Sequence, residues 1–266
     1  MIRRVASGIL AIQLLFSGCA LAADRTLAAE GDYVAQKNLN KPLAHWKLWH
    51  LRNGDYEVEE NLAGPTHVVQ VFRFDAQFVP SGFSLTIDSL PVKPGRSGKK
   101  PPRAILPTII SCRYTIENLS CDSENNGRKA SPSIAAKPPY VLVPVDFYAL
   151  DQTWLMTSIC RFIEHKVAEG NVVDVYAMMD GKIYIGRPVQ LTYAKNTTAR
   201  VLGKEQPVTE YEVWMGGEDG AWTLNDLSTL QVTTDGLVAS IRGKSNPELG
   251  YAIANYKEYE RWPPHR

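Results

Sequence analysis

The chain has 266 residues, 44% of them hydrophobic, and a formal net charge of +1 at pH 7. A chain of this length and apolar content can bury a sizeable core, while its near-neutral charge argues against a nucleic-acid partner. The sequence has no phosphate-binding loop, no G-x-G-x-x-G turn and no G-x-S-x-G elbow. These absences remove any reason to name an enzyme class, and we expect a non-enzymatic protein without a cofactor.

The first 22 residues have the order of a secretory signal peptide. Two arginines precede an apolar run over residues 9–16, and small residues end the segment. The run is shorter than the roughly 20 residues that a membrane-spanning helix needs. A cut after Ala22 would release a soluble protein, whereas residues 15–19 resemble a bacterial lipobox in which Cys19 would be lipidated. We expect an exported protein that is periplasmic, anchored to the outer membrane or secreted.

Strand patterns dominate the rest of the chain, which we predict to be one mostly β domain over residues 30–266. Asn53-Gly54 suits a two-residue type I′ hairpin turn, because both turn residues need positive φ. Such a turn sets Trp49 opposite Val58, with Tyr56 on the same apolar face. The other face of this hairpin is then polar and solvated.

Period-2 alternation of apolar residues predicts further strands. Its large members are Phe72, Phe74, Phe83, Leu85 and Ile87. We predict two more hairpin turns, at Asp180-Gly181 and Asp235-Gly236. Two stretches, near residues 91–102 and 122–139, are polar and rich in turn residues, and we predict flexible loops there.

Cysteine spacing predicts one disulfide. If residues 115–118 form a hairpin loop, Cys112 faces Cys121 directly, and an oxidising compartment would join them. We expect Cys160 to be a buried free thiol. His165 lies five residues further on, off the helical face of Cys160, so the two do not form a nucleophile and base.

One helix is predicted, over residues 151–166. Asp151 can cap its N-terminus, and an apolar stripe at 3.6-residue spacing includes Leu155, Ile159 and Phe162. A short helix is marginal alone, so we expect it to pack on the sheet. The predicted fold class is mainly β: a curved antiparallel sheet, partly barrel-like, with one central helix packed in the concavity.

The histidines and acidic residues give no metal or catalytic site. His45 and His50 are an odd number of residues apart on one strand and point to opposite faces. Glu57 and Glu59 belong to the solvated hairpin face, unlike the buried, separated carboxyl pair of a glycosidase.

The large rings have two interpretations, ordinary core filling or the lining of an apolar cavity between sheet and helix. The candidate ligand-binding residues are Trp49, Tyr56, Phe72, Phe74, Trp154 and Phe162.

Several short segments carry a family resemblance. They are Pro138-Pro139-Tyr140, Gly186-Arg187-Pro188, Val201-Leu202-Gly203-Lys204, Tyr211-Glu212-Val213 and Asp235-Gly236-Leu237-Val238, with the Trp154 helix among them. In this order they resemble uncharacterised bacterial envelope proteins related to the outer-membrane lipoprotein carriers. The resemblance covers residues 138–260. Over residues 40–120 it is limited to the spacing of the predicted strands. It implies a strongly curved antiparallel sheet around helices, open along one side, and supplies no catalytic residue.

The leading hypothesis is a cell-envelope protein that binds or carries an apolar or amphiphilic ligand such as a lipid. A lipid anchor is the only membrane contact expected. The first alternative is an envelope interaction or structural protein with a filled core, and the second is a hydrolase without a recognisable motif.

Overall fold

The computed structural model describes most of the chain after its first 24 residues. The described ranges are 25–63, 67–77, 80–88, 107–115, 117–125, 127–135, 140–144, 174–179, 181–185, 189–216, 222–243 and 250–260. Their regular structure is β-strand throughout. None of these residues belongs to a helix with the length and hydropathy needed to cross a membrane.

The described strands form a 14-stranded sheet and a 3-stranded sheet. In the N-terminal half they are β1 Arg25–Ala35, β2 Asn38–Leu51, β3 Tyr56–Leu62, β4 His67–Phe74, β5 Pro80–Asp88, β6 Thr108–Tyr114, β7 Asn118–Asn125, β8 Arg128–Ala130 and β9 Ser133–Ala135. In the C-terminal half they are β10 Tyr140–Pro144, β11 Asp174–Met179, β12 Lys182–Ile185, β13 Val189–Val201, β14 Lys204–Gly216, β15 Trp222–Thr233, β16 Val238–Arg242 and β17 Gly250–Glu258.

The large sheet is antiparallel and runs in the order β13-β14-β15-β16-β17-β1-β2-β3-β4-β5-β6-β7-β8, with β9 beside β7. Chain neighbours are sheet neighbours with two exceptions: β9 pairs with β7, and β17 pairs with β1 and joins the two halves of the chain. Among the described strands, no pairing links β13 to β8, so the sheet is open. In the small sheet, β11 pairs in parallel with β10 and antiparallel with β12. The prediction of a mainly antiparallel β protein is therefore confirmed.

One face of the large sheet, here called the interior face, carries the core. Its large buried side chains include Trp46, Leu48, Val58, Phe72, Phe74, Phe83 and Leu85. They recur at every second residue, as period-2 alternation requires. Phe72 of β4 and Phe83 of β5 are directly opposed, and their ring centroids are 4.9 Å apart. Burying each such side chain contributes about 1.5–3 kcal/mol, so these rows supply much of the driving force for folding.

The turn at Asn53-Gly54 differs from the prediction. The Leu51 N–H donates to the Asp55 carbonyl at 2.8 Å, and the Gly54 N–H donates to the Leu51 carbonyl at 2.9 Å. With φ of 90° at Gly54, this is a three-residue loop, not a two-residue turn. Asn53 Oδ1 also accepts a hydrogen bond from the Asp55 N–H at 3.1 Å, which stabilises the longer loop.

The longer loop changes the register of the β2–β3 hairpin by one residue. Leu48 is opposite Val58, and Trp49 is opposite Glu57. A one-residue shift exchanges the two faces of a strand pair. The predicted pairing of Trp49 with Val58 is therefore wrong. Leu48 enters the core instead, and Trp49 lies on the outer face.

The other turn predictions have mixed outcomes. Met179 pairs with Lys182 around Asp180-Gly181, and the Thr233 N–H bonds to the Leu237 carbonyl around Asp235-Gly236, so both hairpins are confirmed. The loop predicted near residues 122–139 is partly strand.

A second Asn-Gly pair explains the strands in that segment. Asn125 pairs with Arg128, which leaves a two-residue connection between β7 and β8, and Gly127 has φ of 76°. This connection has the length that was expected at Asn53-Gly54. β9 then pairs with β7 on its other side.

The disulfide prediction is confirmed. Cys112 and Cys121 are bonded at directly opposed positions of β6 and β7, and Tyr114 is opposite Leu119 as the predicted hairpin requires. Both cysteines are buried.

The remaining predictions concern segments outside the described residues. These are the signal peptide over residues 1–22 with Cys19, the loop near 91–102, and the helix over 151–166 with Trp154, Cys160 and Phe162.

Candidate functional site

A polar pair crosses the apolar interior face. Glu60 of β3 and Gln70 of β4 are directly opposed, and each is 0% exposed. Trp46 is opposite Glu60 on the next strand, and Leu85 is opposite Gln70. Trp46, Glu60, Gln70 and Leu85 thus form one row across four adjacent strands, called the interior row below.

Gln70 lies in an apolar environment along its own strand. Its neighbours along β4 on the same face are Val68 and Phe72, both buried. In the part of the chain that the structure describes, neither the Oε1 nor the Nε2 atom of Gln70 has a hydrogen-bond partner. A buried amide without partners costs about 1–3 kcal/mol, and most buried polar groups in folded proteins avoid this cost.

Sequence reasoning missed the polar pair, although a signal was present. Glu60 shares the parity of Val58, and Gln70 shares the parity of Phe72, so both polar residues fall on faces that alternation predicts to be apolar. A polar residue at an apolar position of a predicted strand is therefore the sequence signal that indicates such a buried polar pair.

The interior row begins at a close approach between strands. The Trp46 indole lies over Gly31 of β1, and a Cβ added at Gly31 would come 3.1 Å from the ring. Because Gly31 has no side chain, Trp46 reaches past β1 to Tyr256 of β17, with the ring centroids 6.0 Å apart. Tyr33 stacks on the Trp46 ring from β1, with centroids 6.4 Å apart. These aromatic contacts fix the first wall of the site.

Tyr56 is the first residue of β3 and lies on the interior face, where it stacks on His50 with ring centroids 4.8 Å apart. The His50 Nδ1 is 3.1 Å from Glu260 Oε2. Burial raises the pKa of the Tyr56 hydroxyl, and the nearby Glu260 carboxylate raises it further. The phenol therefore stays neutral over the physiological range.

The structure brings together only part of the predicted ligand-binding set. Tyr56, Phe72 and Phe74 lie on the interior face, and the two phenylalanines are buried. Trp154 and Phe162 lie outside the described residues.

Trp49 belongs instead to a charged cluster on the outer face. The Arg25 guanidinium lies 4.1 Å from the centroid of the Trp49 ring and 2.8 Å from Glu57 Oε1. Arg73 contacts the other oxygen of Glu57 at 3.1 Å. These paired charges stabilise the part of the outer surface that surrounds Trp49.

The described histidines each face a carboxylate. The ring Nδ1 of His45 is 2.8 Å from Asp32, and that of His67 is 3.3 Å from Asp88. His45 and His50 point to opposite faces of β2, as predicted from their spacing. Over the described ranges, no three histidine, cysteine or acidic residues come together as metal ligands would.

Comparison of the chain with protein-family models, with curated proteins and with solved structures finds no match.

Proposed function

We propose that this chain is a non-enzymatic protein of the cell envelope that binds an amphiphilic ligand at the interior face of its large sheet. The observation that carries the proposal is the interior row, where Glu60 and Gln70 lie fully buried among apolar side chains. Ligand sites combine apolar walls with a few polar groups that orient the ligand. A core that only fills space gains nothing from an amide without hydrogen bonds.

The apolar part of the ligand would contact the rings that flank the row. Phe72 and Phe74 of β4 and Phe83 of β5 supply flat apolar surface, and Tyr56 stands at the end of the same face. We further propose that the sheet curves around a helix formed by residues 151–166. In that arrangement Trp154 and Phe162 would face the sheet and complete the site.

Export to the envelope is the second part of the proposal. The Cys112–Cys121 disulfide supports it, because such bonds persist in oxidising compartments and are rare in the cytosol. The signal-like order of residues 1–22 supports it independently. Cleavage after Ala22 or lipidation of Cys19 would give the mature form, and the resemblance to envelope proteins related to lipoprotein carriers agrees with either.

The binding function is tested with an apolar fluorescent probe. N-phenyl-1-naphthylamine should bind the native mature protein saturably, and decanamide should displace it. Phe72→Leu should weaken probe binding, because it removes a ring from the interior face. Trp49→Phe is the matched control on the outer face and should leave binding unchanged.

A protein that binds neither the probe nor decanamide would contradict the proposal. The envelope interaction protein with a filled core would then be the better account.

A further inference from the structure

Two buried glutamines in the large sheet differ in the hydrogen bonding of their side-chain amides. Gln231 of β15 is 5% exposed, and both ends of its amide are bonded: Nε2 donates to Glu210 Oε2 at 3.2 Å, and Oε1 accepts from Ser240 Oγ at 2.8 Å. Gln70 is 0% exposed, and no described group bonds to either end of its amide. The fold can therefore satisfy a buried glutamine but does not do so at Gln70.

We propose that Gln70 is the residue that recognises the polar head of the ligand, and that this head is an uncharged carboxamide or carboxylic acid. This inference rests on the ligand-binding function proposed above and adds the chemical class of the head group. The acyl chain would lie against Phe72 and the neighbouring rings, and the head would meet the amide of Gln70.

The chemistry of the amide selects this class. A primary amide presents an acceptor oxygen and donor hydrogens side by side in one plane. A carboxamide or a neutral carboxylic acid presents the complementary acceptor and donor on a single carbon. The two groups can form two parallel hydrogen bonds that satisfy Oε1 and Nε2 of Gln70 together. An ester or ether has no donor and would leave the Gln70 oxygen without a partner.

The surroundings disfavour a charged head. Glu60 lies directly beside Gln70, and the interior row contains no basic side chain. An anionic head would bring a second acidic group beside Glu60 in a fully buried site, where like charges disfavour the ionised form. A neutral head that pairs with Gln70 avoids this cost.

Stability of the ligand-free protein gives the first test, with the two glutamines as a matched pair. Gln70→Met removes a buried amide without partners and should raise the thermal midpoint by roughly 2–4 °C. Gln231→Met breaks two hydrogen bonds and should lower the midpoint. If Gln70→Met lowers the midpoint as Gln231→Met does, Gln70 is bonded within the protein and the proposal fails.

Binding gives the second test, with decanamide, decanoic acid and methyl decanoate as probes of equal chain length. Wild-type protein should bind decanamide about tenfold or more tightly than methyl decanoate. Gln70→Met should bind both with the weaker affinity, while Gln231→Met should keep the preference. Comparing decanamide with decanoic acid below and above the pKa of the free acid separates the two head groups.

The outcomes separate the two proposals. Equal binding of amide and ester by the wild-type protein, or a preference that survives in Gln70→Met, overturns the role of Gln70 but leaves the binding function standing. A more stable Gln70→Met protein without any head-group preference means that the buried amide binds no ligand head, and this also overturns the inference. Absence of binding by every probe overturns the binding function itself.

Discussion

At the scale of single residues, the absence of a side chain at Gly31 shapes the core as much as any large ring does. The Trp46 indole occupies the space that a Cβ of Gly31 would need, and through that space it meets Tyr256 two strands away. A glycine inside a strand often marks such a close approach.

Gly31→Ala should lower the free energy of unfolding by about 1–3 kcal/mol, because the new methyl group would overpack against the buried Trp46 ring. Urea unfolding of the variant measures this loss. Adding Trp46→Phe should recover part of it, since the smaller ring leaves room for the methyl. Strictly additive losses in the double variant would show that the two positions do not compete for space.

The raised pKa of Tyr56 predicts a dependence of stability on alkaline pH. The neutral phenol is favoured in the folded state, so its contribution is complete below the unfolded pKa of about 10 and is lost as pH rises through the higher folded value. Tyr56→Phe should therefore lose less stability than wild type between about pH 9 and 11. Denaturant unfolding across this range tests it, and parallel curves for the two proteins would contradict it.

At the scale of strands and turns, sequence predicts most where the deciding contacts are local. The Cys112–Cys121 pairing followed from one short hairpin, and the structure has that register. The prediction for the β2–β3 hairpin was wrong, because Asn53-Gly54 fits two loop lengths and each length turns a different face of the hairpin toward the core. Burial of Leu48 beside β1 decides between the two lengths. Period-2 alternation places Gln70 on the same face as Phe72. Whether its amide finds hydrogen-bond partners depends on the side chains that the neighbouring strands place beside it.

The Cys112–Cys121 disulfide stabilises the hairpin formed by β6 and β7. Replacing both Cys112 and Cys121 by alanine should lower the free energy of unfolding by roughly 2–3 kcal/mol, the range expected for a short closed loop. Guanidinium unfolding with and without a reductant measures it. Reductant should destabilise the wild-type protein but leave the double variant unchanged. A double variant as stable as oxidised wild type would contradict the prediction.

At the scale of the whole molecule, the large sheet depends on one long-range pairing. β17 inserts between β16 and β1, so the last described strand of the chain is a central strand of the sheet. Tyr33 of β1 adds a side-chain bond across β17, donating to the Val238 carbonyl of β16 at 3.3 Å. The two ends of the described chain are thereby held together.

Truncation before Gly250 should prevent the sheet from forming as one unit, because β1 and β16 would both lose a strand partner and expose their edges. Size-exclusion chromatography should find the truncated protein aggregated. Truncation after Glu260 removes none of the described strands and serves as the control. A truncated protein that remains monomeric and folded would show that the two halves are independent.

The position of β17 also determines when the large sheet can be completed during synthesis of the chain. β1 is made before β2 and pairs with it soon afterwards, but its second edge stays open until β17 has been synthesised. Pairing over so long a sequence separation is slow, and an open edge can recruit other chains in the meantime. A nascent chain of this protein is therefore exposed to aggregation until β17 is made, and its yield should fall when synthesis is fast enough for unfinished chains to accumulate.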